Sequence, residues 1–301
     1  MAKRLALIDS DEVAYKGAFA CQESYYVVKD DDKILWKSKT KRDAIESIEN
    51  APWDIEKVVE PLDPTIGFAK IESTITRFLL ESKSDDYRLF LSGKENFRKS
   101  FATLTPYKAN RPPKPVNLPQ MEEYLRYKGA ETVSFLEADD QLSAYQDNVE
   151  GYETVICTQD KDLRTVPGLN YNPNTGKITD ISVMEARYNF YMQVLIGDPT
   201  DSIPHPHGLG TIRAEKMLRP LYIDEVDEVE WYEVVKELYA TYLYKTKLKG
   251  VPYDFTNAES VVFKTAWYTG QDIDEVLWEV ANLLHMHRTL NPEERWERPI
   301  G

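Results

Sequence analysis

The chain has 301 residues, 42% of them apolar, and a formal net charge of −14. That length supports one large domain or two modest ones with a substantial core, and the composition is that of a globular protein, not a disordered one. No apolar run approaches the roughly 18 residues needed to cross a membrane. Asp9 ends the N-terminal LALI run too early for a signal peptide, so the expected location is the cytoplasm, with no membrane partner.

The first half alternates short apolar runs with helical patterns. RLALI (4–8), YRLFLS (87–92), TVSFL (132–136) and ETVIC (153–157) have the length and residue types of buried parallel strands. Helical spacing lies between them at 66–82, 119–128 and 138–148. The expected fold is therefore α/β, with a mostly parallel central sheet flanked by helices. Residues 22–64 interrupt this alternation as an insertion. YYVVKDDDKILWKS reads as a β-hairpin turning at DDDK, and TKRDAIESIENA as a short helix. Beyond Asp180 the pattern turns helical, at 182–196, 211–219, 228–247 and 272–288. This predicts a domain 1–180 and a helical domain 181–301.

The two cysteines, Cys21 and Cys157, lack CxxC spacing and suggest neither a disulfide framework nor a zinc knuckle. The pairs His205/His207 and His285/His287 have no third ligand nearby and read as surface or loop residues.

The acids are placed more tellingly. In an open parallel sheet, ligands bind beyond the carboxyl ends of the strands. Asp9 follows the first strand. Glu137, Asp139 and Asp140 follow the third, in LEADDQL. Asp160 and Asp162 follow the fourth, in CTQDKDL, and Asp198 and Asp201 lie in GDPTDSIP after an apolar helix. A lone D-x-D is usually a cap or turn, but pairs at consecutive strand ends form a cluster whose mutual repulsion needs cations. With oxygen ligands alone, Mg²⁺ or Mn²⁺ is expected rather than zinc. Two such ions are a known device for activating water and stabilising the leaving oxygen in phosphodiester cleavage. Asp11, two residues beyond Asp9, reads as a helix N-cap.

A net charge of −14 taken alone opposes a nucleic-acid partner. Charge can be segregated, however. Lys94, Arg98, Lys99, Lys108, Arg111 and Lys114 face only Glu95 between 94 and 114. YLYKTKLKG (242–250) is a second basic stretch, at a helix end.

Taken in order, LIDSDEVAYKGAF, FRKSFATLTPYKANRPPKP, FLEADDQLSAY, TQDKDLRTV and GDPTDSIPHPHGLG resemble the motifs of the 5′-nuclease (flap endonuclease) superfamily, and most closely the bacteriophage 5′–3′ exonucleases. The resemblance covers roughly 1–20 and 87–220. It implies a PIN-like core with a helical arch at 94–118, the insertion at 22–64, and a helix–three-turn–helix at 190–220 in a duplex-binding C-terminal part. It implies that Asp9, Glu137, Asp139, Asp140, Asp160, Asp162, Asp198 and Asp201 hold two divalent ions. Lys108 and Arg111 match the basic pair beside the scissile phosphate, and Tyr107 an aromatic that stacks on a base. Lys114 adds a DNA contact on the arch. Gly208 and Gly210 allow the turn to approach the duplex backbone, often with a K⁺ ion, while Arg213 and Lys216 add side-chain contacts.

The activity implied is 5′–3′ exonuclease or flap cleavage of DNA in replication, by a monomer acting on 5′ ends, flaps or nicks. RNA primers and RNA–DNA hybrids are further substrates of the same geometry. Two departures stand out: Ser92 occupies a usual acid position, and Ile212 a usual lysine position. The alternatives are a structure-specific DNA-binding protein with impaired catalysis and a related acid-cluster ribonuclease.

Overall fold

A computed structural model describes residues 3–31, 33–46, 54–146, 148–244 and 270–299. In chain order, β1 (Lys3–Asp9) is followed by α1 (Ser10–Ala20), β2 (Gln22–Asp30), β3 (Lys33–Ser38), α2 (Lys41–Glu46) and β4 (Asp54–Pro61). Then come α3 (Pro64–Ser82), β5 (Asp86–Ser92), α4 (Phe97–Phe101), α5 (Leu118–Tyr127), β6 (Glu131–Val133), α6 (Ala138–Tyr145) and β7 (Tyr152–Cys157). A 3-10 turn (Asp162–Thr165) precedes β8 (Gly168–Asn172) and β9 (Lys177–Ile181). The remaining described helices are α7 (Val183–Ile196), α8 (Thr211–Ile223), α9 (Glu228–Tyr244) and α10 (Ile273–Leu284). No helix among the described residues is long and apolar enough to cross a membrane. Residues 245–250 of the second basic stretch lie outside the described residues.

The chain forms two compact units: Met1–Asp9, Phe78–Pro112 and Glu131–Gly301 in one, Ser10–Arg77 and Pro113–Ala130 in the other. The first holds a six-stranded sheet of order β6-β5-β1-β7-β8-β9. All its pairings are parallel except β8 with β9. β1 lies inside the sheet, so Leu5, Leu7 and Ile8 are buried without alternation, as strands covered on both faces require. Leu7, Phe90, Leu142, Ile156 and Leu163 form the core between sheet and α6. A second core gathers Tyr191, Leu195, Leu218, Trp231, Tyr239 and Val280 from α7 to α10.

The helical part is not separated from the sheet at residue 180. Gln193 of α7 donates to Asp162 at 2.9 Å, and Asn189 to the Arg164 carbonyl at 2.9 Å. These bonds knit α7 to the loop that carries two of the acids. The arch is also less helical than expected: within 94–118 only α4, five residues long, is helical before α5 begins. Pro106, Pro112, Pro113 and Pro115 lack the amide hydrogens that a helix interior needs.

The second unit contains the expected hairpin, β2 with β3, and the helix α2. A third strand, β4, pairs antiparallel with β2 in the order β3-β2-β4. Its sequence, DIEKVVEP, is mostly exposed, so no burial pattern betrayed it. Gly17 of α1 sits where an added Cβ would meet Ile71 at 2.9 Å and Met121 at 3.0 Å, which explains how closely α1 packs on α5. Asn117 Nδ2 donates to the Cys21 carbonyl at 2.8 Å. Asp11 lies inside the first turn of α1, not at its cap; there its charge faces the positive end of the helix.

Candidate active site

Parallel strands deliver their carboxyl ends to one edge. Asp9 closes β1 opposite Phe90 of β5, and Ile8 pairs with Cys157 at the end of β7. The loop bearing Asp160 and Asp162 therefore leaves the sheet beside Asp9. On the other side, Ser92 ends β5 and its Oγ accepts the Ala138 N–H at 2.9 Å. That bond holds the N-terminus of α6, with Glu137 as its N-cap, at the same edge.

The carboxylates feel one another. Asp139 is pushed well above the usual carboxylate range by burial and by Asp9, Asp160 and Glu137. Asp160 is raised by burial, with Asp201 and Asp198 acting in the same sense. Burial and Asp160 push Asp162 up to about 7. The expected acids are thus brought into one electrostatic neighbourhood.

Side-chain cations answer part of this charge. Lys108 Nζ bonds to Glu137, and stands 3.6 Å from Asp201. Arg111 reaches Asp201 at 2.5 Å. Burial raises Glu137, but Lys108 and Arg98 outweigh it and hold it below its ordinary value. Lys161, between the two acids of the D-x-D pair, reaches Asp198 at 3.0 Å. With the Thr200 and Asp201 amides it overcomes burial and keeps Asp198 low. Lys108 itself adopts a left-handed backbone (φ 58°) and is tied down by its N–H to the Asp201 carbonyl at 2.8 Å. A non-glycine residue in that region stores about 1–3 kcal/mol of strain.

Two expectations are corrected. Asp140, expected as a metal ligand, is instead committed to Arg98. It is fully buried, and its two oxygens accept Arg98 at 2.6 and 2.8 Å, the Glu137 N–H at 3.0 Å and the His287 N–H at 3.3 Å. Its place is behind the site, fixing the start of α6. Tyr107 is 9% exposed and packs in the helical core, so its ring is not free to stack on a base. Its hydroxyl donates toward Glu137 at 2.8 Å and Asp201 at 3.0 Å. Burial and then Glu137 lift it well above the ordinary tyrosine value, which keeps that proton in place.

Other residues were misjudged or overlooked. Arg98, one of the six basic residues between 94 and 114, is 1% exposed and also donates to the carbonyls of Leu283 and His285 at 3.0 and 2.8 Å. Its only sequence signal is its position after Phe97 in the basic stretch. His285 and His287 lie in a loop, as read, but His287 is buried rather than at the surface, and His285 faces Glu294 at 3.2 Å. Gln193 and Lys161, which hold Asp162 and Asp198, had no signal beyond their position.

The turn after α7 is set by Gly197 (φ 62°), where an added Cβ would meet the Ile203 carbonyl at 2.5 Å. Asp198 Oδ1 then caps the amides of Thr200 at 2.7 Å and Asp201 at 3.3 Å. At the start of α8, Gly208, Gly210, Thr211, Ile212, Arg213 and Lys216 line an open groove of about 560 Å³. Arg213 turns back to the Gly208 carbonyl at 2.7 Å, and Ile212 is 87% exposed. Lys114 is exposed and belongs to the other unit.

The donors at the sheet edge are oxygens, and the raised proton affinities of Asp139, Asp160 and Asp162 come from burial together with negative charge that the side-chain cations leave unbalanced. That environment fits a divalent cation. As they stand, no three acidic, histidine or cysteine side chains among the described residues are grouped to share one ion; Lys108, Arg111 and Lys161 engage several of them instead.

No family model matches the chain. Over 182 residues it is 29% identical to the thermostable DNA polymerase I of Thermus thermophilus, a match covering 53% of this chain and 21% of that protein. The enzyme of the same name from Thermus caldophilus matches equally. The chain thus spans about a fifth of the length of these curated relatives. Among solved structures, a mutant of T5 5′-exonuclease superposes with a TM-score of 0.52 at 13% identity, covering 94% of this chain and 87% of the other. T5 5′-exonuclease with bound zinc superposes at 0.50 and 16% identity, covering 94% and 89%. In its fold the chain is similar to T5 5′-exonuclease, and over about half its length its sequence is similar to part of the Thermus polymerase.

Proposed function

We propose that the protein is a divalent-metal-dependent 5′ nuclease that hydrolyses DNA phosphodiesters from 5′ ends, exonucleolytically or at flaps, in the replication of a bacteriophage genome. One observation carries this reading: carboxylates that raise one another's proton affinity line the carboxyl edge of a parallel sheet, with Lys108 and Arg111 set among them. Asp9, Glu137, Asp139, Asp160, Asp162, Asp198 and Asp201 would hold Mg²⁺ or Mn²⁺, two ions by the donor count. When bound, such ions lower the pKa of water and neutralise charge on the leaving oxygen. The zinc-bound T5 5′-exonuclease supports divalent binding in this fold.

The chain's own groups divide the remaining work. Lys108 and Arg111, now paired with Glu137 and Asp201, can turn to the phosphate and stabilise its developing charge. Tyr107 orients Glu137 and Asp201 through one hydroxyl. Arg98 and Asp140 fix the N-terminus of α6 behind them. The groove at the start of α8, with its glycines, Arg213 and Lys216, suits a duplex backbone with K⁺ as an accompanying ion. RNA primers and RNA–DNA hybrids fall within the same substrate class, and the protein acts as a monomer in the host cytoplasm.

A 5′-labelled DNA with a flap or recessed end should release short 5′ products with Mg²⁺ and none with EDTA. Single-stranded RNA beside it should survive; its degradation would favour the ribonuclease reading. A second reading rests on Ser92, which accepts a helix N–H where the superfamily usually has an acid. Tight binding of the same DNA without cleavage in Mg²⁺ or Mn²⁺ would make the protein a structure-specific binder.

A further inference from the structure

β3 exposes three large apolar side chains in succession: Ile34, Leu35 and Trp36 are 47%, 42% and 55% accessible. The strand is an edge of its sheet, where such residues are normally avoided. Around them lie Lys33, Lys37, Lys39, Lys41 and Arg42, with no acid between 33 and 42. Five cations and no acid in ten residues are unusual in a chain of net charge −14.

Folding does not consume these charges. Among the described residues, Lys33, Lys39 and Lys41 enter no ion pair. Lys37 lies 4.7 Å from the centre of the Tyr25 ring. Arg42 meets Glu46, with the two side chains 85% and 60% exposed, a contact that contributes little. A second copy of the chain is a poor occupant, because pairing β3 with β3 would bring Lys33 and Lys37 of each copy together, with the cations that follow them close by. An exposed aromatic on an open edge strand, with lysines on the strand's other face and in the segment that follows it, instead has the chemistry that binds unpaired bases and their phosphates.

We propose that β3 and the segment up to Arg42 form a contact for single-stranded nucleic acid. Trp36 stacks on a base, and the four lysines and Arg42 meet backbone phosphates. The choice of DNA as its ligand rests on the nuclease reading; the strand's chemistry does not. Duplex DNA, its bases already stacked, makes only the phosphate contacts here.

The test uses the full chain in EDTA and measures anisotropy of labelled oligothymidylate and of a blunt duplex over a range of salt. Each cation withdrawn from a single strand lowers the slope of log Kd against log salt by roughly 0.7. A triple variant, Lys37→Gln with Lys39→Gln and Lys41→Gln, should flatten the slope for the single strand by about 2. Trp36→Ala should weaken that binding about ten-fold and change the duplex less. A control removing equal charge elsewhere, at the exposed Lys70, Lys83 and Lys177, should keep the wild-type slope. Unchanged affinity and slope in both β3 variants would overturn the proposal and leave the strand to a protein partner. Cleavage by the wild type with Mg²⁺ is read in parallel. If it fails while the β3 variants still lose the single strand, the nuclease reading falls and this one stands. If it succeeds and the variants bind normally, only this one falls.

Discussion

Asp140 and Arg98 show how one buried ion pair can brace a candidate site from behind. Both are almost fully buried, and the pair bonds to backbone from α6 and from the end of α10 and the segment after it. Removing one partner leaves a buried charge uncompensated, which costs about 3–5 kcal/mol. Arg98→Leu should therefore lower the unfolding free energy in urea by that amount; a loss below about 1 kcal/mol would mean that Asp140 finds another partner. Lys108 poses the opposite case. It is partly exposed, strained and bonded to a carboxylate that metal would claim. Lys108→Ala should slow single-turnover cleavage about 10²–10³-fold while DNA binding in EDTA weakens far less. An unchanged single-turnover rate would remove it from the chemistry.

At the level of elements, the decisive joint is the end of α7. Gly197 ends that helix with a backbone that has no room for a Cβ, and Asp198 then caps the turn that presents Asp201. Gly197→Ala forces either a strained φ or displacement of the Ile203 carbonyl, at a cost of about 1–3 kcal/mol. It should lose part of the stabilisation that Mg²⁺ gives, and most of the cleavage, although neither carboxylate is altered. A Mg²⁺-induced rise in Tm equal to the wild type's would show that the joint tolerates the change. The stretch 102–117 makes a complementary point. Its prolines keep it out of a helix, yet Lys108 and Arg111 are held by bonds to Glu137 and Asp201, so position comes from tertiary contacts and not from a regular element.

For the whole molecule, the acid cluster links stability to pH and, on the proposed function, to metal. An unfolded aspartate titrates near 3.9, whereas Asp162 does so at about 7 in the fold. Between those values the folded state binds more protons than the unfolded one, so its stability falls as pH rises through the window. Asp139 and Asp160, raised as well, act in the same direction. Asp140 and Asp198 are lowered; their stabilisation is complete above the unfolded value and is lost only as pH falls through their depressed ones. In EDTA, thermal stability should therefore decline from pH 5 to pH 8, with Asp162 accounting for at most about 3 kcal/mol. On the proposed function, Mg²⁺ would bind the ionised carboxylates, so it should raise Tm more at pH 8 than at pH 5. Equal shifts at the two pH values would place the ions elsewhere.

Much of this architecture was legible in the residues alone. Runs of four to six apolar residues ending in acids are a local pattern, and the sheet edge follows from the rule that parallel strands end together. RLALI, ETVIC and the helices at 66–82 and 182–196 were accordingly found close to their places. The hairpin and α2 of the insertion were also readable, because alternation and turn residues are short-range signals. What remained hidden depends on contacts distant in sequence. β4 forms because β2 offers it an edge, not because DIEKVVEP is apolar. Arg98 and Lys94 are alike as letters, but only Arg98 meets a buried Asp140 forty-two positions away. Asp139 and Asp140 are neighbours in one motif, yet successive positions of a helix point about 100° apart. One therefore faces the other acids and the other faces Arg98. Tyr107 was assigned to stacking by its place in YKANR, and the packing of α7 to α10 buried it. A motif places its backbone; which way each side chain is spent is decided by what the fold sets opposite it.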